Sequence, residues 1–239
     1  PKSTQKGRSR KIKMRHHPRL NRGLSFDDVL LVPQFSDITS RKSEVDLSVD
    51  LGRGVTVSIP IISSPMDTVT ESDMASTMSD IGGMGIIHRY NSVDEQALLV
   101  RKSVASTENV VGAAIGVTGD YCERASACIE AGAMLLCVDV AHGHHILMRD
   151  ALQTLRSKFG DSLHIMAGNV ATLDGFNALA DWGATSIRVG IGGGSICSTR
   201  IQTGHGIPTL QSVMNCAMSD RDAYIIADGG IKNSGDIVK

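Results

Sequence analysis

Leu135-Leu-Cys-Val-Asp-Val140 and His164-Ile-Met-Ala-Gly-Asn-Val170 are two short runs in which apolar residues follow one another instead of alternating with polar ones. A strand of that kind is buried on both faces, which is the habit of a parallel sheet clad in helices. The residues between them, His145 to Lys158, repeat at helical spacing and put Leu147, Leu152 and Leu155 on the face expected to turn inward. Toward the N-terminus the same rhythm recurs. Ile59 to Ser64 is a strand, and Ser72 to Ile81 a helix with Met74, Ala75, Met78 and Ile81 on one face, stopped by Gly82-Gly83. Met84 to His88 is the next strand, and Ser92-Val-Asp-Glu95 has the form of a capping box that opens a helix to about Lys102. Val110 to Val117 is again strand-like and Asp120 to Ala131 helical. Toward the C-terminus, Thr172 to Asp181 is a helix ended by Gly183, Thr185 to Val189 a strand, and Tyr224 to Ala227 a strand closed by Asp228-Gly-Gly230. Ahead of them all, Asp46 to Val57 alternates apolar and polar residues around Gly52-Arg-Gly54, as a hairpin does.

About seven βα units in a row predict an α/β fold of the (β/α)8 TIM-barrel type. A doubly wound sheet is disfavoured, because no G-x-G-x-x-G fingerprint follows the first strand. The last residue, Lys239, falls inside the seventh helix, so the barrel is expected to be incomplete in this chain, or its eighth strand to come from elsewhere. Residues 1–22 are basic and poor in apolar groups and are expected to form a disordered arm ahead of a single catalytic domain over residues 23–239.

Composition narrows the function. A net charge of −1 with 3% aromatic residues argues against a nucleic-acid surface built from basic patches and stacking rings. No apolar run reaches the roughly 18 residues of a membrane span. Five cysteines, odd in number and without metal-like spacing, fit reduced thiols and a cytoplasmic address.

In such a barrel the chemistry gathers at the C-terminal ends of the strands. Ser63-Ser-Pro-Met-Asp67, His88, Asp139 with His142 to His145, Gly168-Asn169 and Asp228-Gly-Gly230 all fall there. Asp67 also reads as a turn residue, and His88 as a satisfied core histidine. The His-Gly-His-His run has no obvious acidic or cysteine partner, which disfavours zinc. After Thr185 to Val189 comes Gly190-Ile-Gly-Gly-Gly-Ser-Ile-Cys-Ser-Thr-Arg200, where the glycines free the backbone to face a ligand and Cys197 stands ready as a nucleophile. A carboxylate at Asp228 suits the hydroxyls of a ribose, and Ser195 with Gly229 and Gly230 suits a phosphate. Together these residues describe a nucleoside monophosphate held with its base against a cysteine.

The chain from about Leu24 onward resembles the IMP dehydrogenase/GMP reductase family. Leu24 to Pro33, Ser63 to Glu71, Gly168 to Thr172, Gly190 to Cys197 and Ala227 to Ile231 carry the likeness, in the family's order. The resemblance implies that Cys197 attacks purine C2 to form a covalent adduct, with Thr199 helping to handle the proton of water or ammonia. It implies nucleotide contacts from Ser64, Met66, Ser195, Asp228, Gly229 and Gly230. Asp139, Asn169, Arg188, Gly190, Ile191 and Gly192 would lie near an NAD cofactor (NADPH for a reductase). Carbonyls of Gly192, Gly194 and Cys197 would form a potassium site, and a homotetramer is implied. The family's usual loop proline is Gly193 here, and the threonine after the cysteine is Ser198; both are expected to be mild changes, the first adding loop freedom. Arg188 and Ser63 to Glu71 look like the dehydrogenases. Val140-Ala141, Ser40 to Asp46 and a short Lys102 to Val110 connection without the paired CBS regulatory insertion look more like the reductases. The residues that decide between them are expected on a flap after the eighth strand, and the balance is set toward the dehydrogenase.

Overall fold

The computed structural model describes residues 23–239; the basic segment 1–22 lies outside them. A two-stranded antiparallel hairpin, β1 (Val49–Asp50) and β2 (Thr56–Val57), precedes the main sheet. Seven parallel strands follow in chain order: β3 (Ile62–Ser63), β4 (Met84–Ile87), β5 (Val111–Ile115), β6 (Leu135–Asp139), β7 (His164–Val170), β8 (Ser186–Val189) and β9 (Tyr224–Ala227). Each pairs with its sequence neighbour, so every crossover returns to the adjacent position, as in the incomplete TIM barrel expected from the sequence. The intervening helices are α1 (Ser72–Asp80), α2 (Val93–Ser106), α3 (Tyr121–Glu130), α4 (Ile146–Phe159) and α5 (Leu173–Asp181). A short α6 (Thr199–Thr203) and α7 (Thr209–Cys216) lie between β8 and β9, and α8 (Ser234–Val238) follows β9.

The continuous apolar runs are explained by two cores. Leu136, Val138, Ile165 and Ala167 face outward, where they pack with Leu152, Leu155, Phe176 and other helix residues. Their neighbours Leu135, Cys137 and Met166 face inward and meet Leu51, Val55 and Val57 from the hairpin. Period-two alternation of direction with apolar residues at every position is what a strand buried on both faces requires.

Local signals set the helix starts. Ser92 accepts from the Glu95 N–H at 3.2 Å, and the Glu95 carboxylate accepts from the Ser92 N–H at 2.9 Å, so the capping box is formed. His145 caps α4 through Nδ1, which accepts from the Leu147 N–H at 3.1 Å, and Thr172 caps α5.

Two expected faces differ. On α4 the inward residues are Met148, Ala151, Leu152 and Leu155, whereas Leu147 is exposed, because the buried stripe runs at helical spacing through Met148 and Leu147 falls about 100° to its side. On α1, Ala75 is fully buried while Met74 and Ile81 are exposed. Here the helix approaches β4 through its smallest residue: a Cβ on Gly85 would collide with Ala75. Close approach through small residues has displaced the broad apolar stripe.

The N-terminal rim is closed by polar groups that satisfy one another. His164 donates from Nδ1 to the Gly52 carbonyl at 3.2 Å, and its Nε2 lies 2.8 Å from the Ser186 hydroxyl, which donates to it. Arg156 donates to the carbonyls of Gly183, Gly160 and Leu163 and to Thr185 Oγ1 at 2.6–3.1 Å.

Candidate active site at the C-terminal rim

Three strand ends meet around one guanidinium. Arg188, on β8 and 8% exposed, donates from Nη1 to Asp139 Oδ1 at 2.7 Å and from Nη2 to Asp228 Oδ2 at 2.8 Å. Asn169, at the end of β7, donates from Nδ2 to the same Asp228 oxygen at 2.5 Å and to the Gly190 carbonyl at 2.8 Å. Asp139 and Asp228 lie three strands apart in the sheet order, about 14 Å on a flat sheet. One side chain reaches both because the sheet curls. Burial opposes the charge on Arg188, but the groups around it, Cys137, Asp228 and Asp139, outweigh that and raise its pKa. Among the described residues, Asp139 Oδ2 and Asp228 Oδ1 have no hydrogen-bond partner, so each carboxylate keeps one acceptor for a ligand.

The glycine loop packs on the turn after β9. Gly190 has φ +155° and its N–H donates to the Val170 carbonyl at 2.8 Å; a Cβ there would run into the carbonyl of Asp228. A Cβ on Gly229 would sit 2.9 Å from the Gly194 nitrogen. The two glycine-rich turns therefore touch through backbone alone, which only glycine permits. A Cβ on Gly193 would strike the Thr209 hydroxyl at the start of α7, so Thr209 occupies the space that a ring or side chain at this position would need.

Cys197 is half-buried at the end of this loop, one residue before the cap of α6. Its thiol pKa is lowered, first by the Thr199 hydroxyl, then by the Thr199 N–H, with smaller help from the Gly192 backbone and the charge of Arg200. Burial opposes the shift only in part. Cys137, beneath Arg188, is the reverse: burial pushes its thiol up to about 12 although Arg188 lies 3.8 Å away. A thiolate is the reactive form, so Cys197 is the cysteine at this rim disposed to act as a nucleophile.

On the far side, Ser64 and Met66 lie on the loop after β3. Thr70, wholly buried, donates from its hydroxyl to the Ser64 carbonyl at 2.6 Å, and its N–H meets the Met66 carbonyl at 3.0 Å. His88 is a satisfied buried histidine: Nδ1 accepts from the Tyr90 N–H at 3.1 Å, so Nε2 carries the proton that faces Glu71 at 3.3 Å. Asp67 is exposed. His142 lies edge-on to His144, which packs against Trp182, ring centres 5.9 Å apart. Ser195 is exposed at the loop tip, Ile191 pairs with Ile207 in an isolated bridge, and Gly230 stands against the Gly193 carbonyl.

A family model described as the IMP dehydrogenase / GMP reductase domain matches residues 23–239. The chain belongs to that family. Members are oxidoreductases of purine nucleoside monophosphates that use NAD(P). The chain is 31% identical over 342 residues to inosine-5'-monophosphate dehydrogenase of Nitrosopumilus maritimus, covering 91% of this chain and 71% of that protein. To the Cryptosporidium parvum dehydrogenase it is 37% identical over 264 residues, covering 92% and 64%. To GMP reductase of Leishmania major it is 30% identical over 357 residues, covering 93% and 72%. The fold is similar to the crystal structure of a cysteine-to-alanine variant of GMP reductase from Trypanosoma brucei, with TM-score 0.86 and 27% identity over 92% of this chain and 78% of that one. The family thus fits the barrel, while its named members divide between two reactions.

Two contributors leave no mark in the sequence, and a third, Thr70, sits within the Ser63 to Glu71 segment without a role of its own being legible there. Thr209 is a lone threonine with no spacing signature, at the start of a helix that periodicity does not mark. Arg89 donates to the Asp139 carbonyl at 3.3 Å from the end of β4, a contact that needs the tertiary fold to exist.

Proposed function

We propose that this chain is the catalytic barrel of a purine nucleotide oxidoreductase that works through a cysteine adduct at purine C2, in the IMP dehydrogenase sense. The single observation that carries the reading is the placement of Cys197. A thiol with lowered pKa ends a glycine loop whose backbone rests on Asp228-Gly-Gly230. Asp228 uses its free Oδ1 to accept the ribose hydroxyls of the monophosphate, and Ser195 with Gly229 and Gly230 offers hydroxyl and N–H donors to its phosphate. Ser64 and Met66 border the base from the opposite loop. The Cys197 thiolate adds to C2, and Thr199, whose hydroxyl and N–H lower the pKa of the thiol, favours the charged form before attack. The hydride that leaves C2 would pass to a dinucleotide held by Asp139, Asn169, Arg188 and the Gly190 to Gly192 turn. Water then attacks C2, the C–S bond breaks, and XMP leaves as Cys197 regains its thiol. IMP, NAD and water become XMP, NADH and a proton.

The donor set suits that cofactor. Asp139 keeps Oδ2 free for the hydroxyls of its ribose, Arg188 and Asn169 hold the adjoining wall, and the Gly190-Ile-Gly192 turn presents backbone without side chains in the way. The carbonyls of Gly192, Gly194 and Cys197 are neutral oxygens on one turn, the donor chemistry that a potassium ion takes. Gly194 already accepts the Cys197 N–H at 3.2 Å and keeps a second lone pair. A cytoplasmic homotetramer completes the reading.

A second reading, GMP reductase, is favoured by Val140-Ala141 after Asp139 and by the likeness to the trypanosomal reductase. In that direction Cys197 displaces ammonia from GMP, and the adduct is reduced to IMP by NADPH. The complete protein is incubated with IMP and NAD, and separately with GMP and NADPH, while absorbance of the reduced cofactor is followed. Signal with IMP and NAD is expected, and a Cys197→Ala variant should lose it by at least about a thousandfold while still binding nucleotide. Signal only with GMP and NADPH replaces the dehydrogenase by the reductase. Binding without turnover in either mixture identifies a nucleotide-binding protein.

A further inference from the structure

We infer that Arg188 couples the two ligand sites, so that a nucleoside monophosphate and a dinucleotide each bind more tightly when the other is present. The inference rests on the proposed assignment of Asp228 to one ribose and Asp139 to the other. Its physical basis is a shared cation. One buried guanidinium holds Asp139 at 2.7 Å and Asp228 at 2.8 Å, and each carboxylate retains one free oxygen among the described residues. Neither carboxylate has a cation of its own in this network. The side chains of Asp139 and Asp228 are 23% and 25% exposed, against 10% for Arg188, so solvent reaches the ends of the bridge but not its centre.

A ligand on Asp228 removes water from that end and lowers the local dielectric, which strengthens the remaining charge–charge contacts of the bridge. It also fixes the guanidinium plane, because Nη1 and Nη2 belong to one rigid fork. Asp139 is then presented to the second ligand already ordered, and the ordering cost is not met twice. Asn169 reinforces the effect, since its Nδ2 ties the shared Asp228 oxygen to the Gly190 carbonyl of the glycine loop. Linkage makes the effect reciprocal: the factor by which nucleotide tightens dinucleotide equals the factor in the other direction.

The test measures binding rather than turnover. In a Cys197→Ala chain, which cannot form the adduct, the Kd of NAD is measured by calorimetry without IMP and with saturating IMP. The same measurement is made with Arg188→Lys added, because an ammonium keeps the charge but cannot fork to two carboxylates. The expected result is at least about a fivefold tightening of NAD by IMP, reduced to near unity by Arg188→Lys, while IMP alone still binds. The pair GMP and NADPH serves as the parallel arm. Should Arg188→Lys not fold, Arg188→Gln removes the shared cation instead and is read by the same pair of NAD affinities, each followed to saturation with NAD. Equal ratios with and without the bridge, or no tightening in the parent, overturn the coupling and leave the site assignment intact. Absence of binding by both IMP and GMP overturns the site assignment, and the coupling with it.

Discussion

Arg156, half-buried at the N-terminal rim, and Arg188, buried at the C-terminal rim, have partners that differ in kind. Arg156 places its donors on three main-chain carbonyls and a threonine hydroxyl, and burial lowers its pKa. Arg188 faces two carboxylates, which raise its pKa, and each of them keeps an acceptor toward the mouth of the barrel. The same contrast holds for the other polar groups. His164 at the lower rim uses both ring nitrogens on Gly52 and Ser186, whereas at the upper rim the Thr199 hydroxyl and N–H lower the pKa of the Cys197 thiol. A rim whose polar groups satisfy one another stabilises the fold; a rim with unused acceptors and a thiol of lowered pKa leaves groups available to a ligand.

The widest separation between the rims is expected in thiol chemistry. Alkylation of the folded protein, read by site-resolved mass spectrometry, should modify Cys197 at least about a thousandfold faster than Cys137 at neutral pH. The reason is that one thiol is lowered while the other is pushed up to about 12 and buried. Comparable rates would erase the distinction. Next in size is the acid sensitivity of the lower rim. His164 is pushed down to about 4 by burial, so the folded state disfavours its charged form. Its contribution is therefore complete above the unfolded value near 6.5 and is lost as pH falls from there toward 4, amounting to about 3 kcal/mol. Denaturant titrations across that window should show the slope, and His164→Gln should flatten it; an unchanged slope assigns the acid sensitivity to other groups. Smallest is Arg156→Ala, expected to cost about 2 kcal/mol by leaving carbonyls near the lower rim without donors. The measurement that sharpens the comparison is the Cys197 alkylation rate in the same variant, which should stay within about twofold if the rims are independent.

The two rims were unequally legible. The barrel could be read from unbroken apolar runs at regular intervals, because burial on both faces leaves a one-dimensional trace. The capping box at Ser92 and Glu95 and the hairpin at Gly52-Arg-Gly54 were local signals and were found as such. Leu147 and Ile81 were misplaced because periodicity locates an apolar stripe without saying which neighbour it meets, and close contact between Ala75 and Gly85 decided the orientation of α1. Helix α7 left no mark, since Thr209–Cys216 is short and follows a loop already crowded with glycine.

By itself the sequence determined the repeating strand–helix order, the family and the stretch that holds Cys197, since each is written in contiguous residues. Tertiary structure alone decided that Asp139 and Asp228, 89 positions apart, share one guanidinium, and that Thr209 occupies the space beside Gly193. The curl of a parallel sheet converts distance along the chain into contact across the barrel, and no local pattern encodes that curvature.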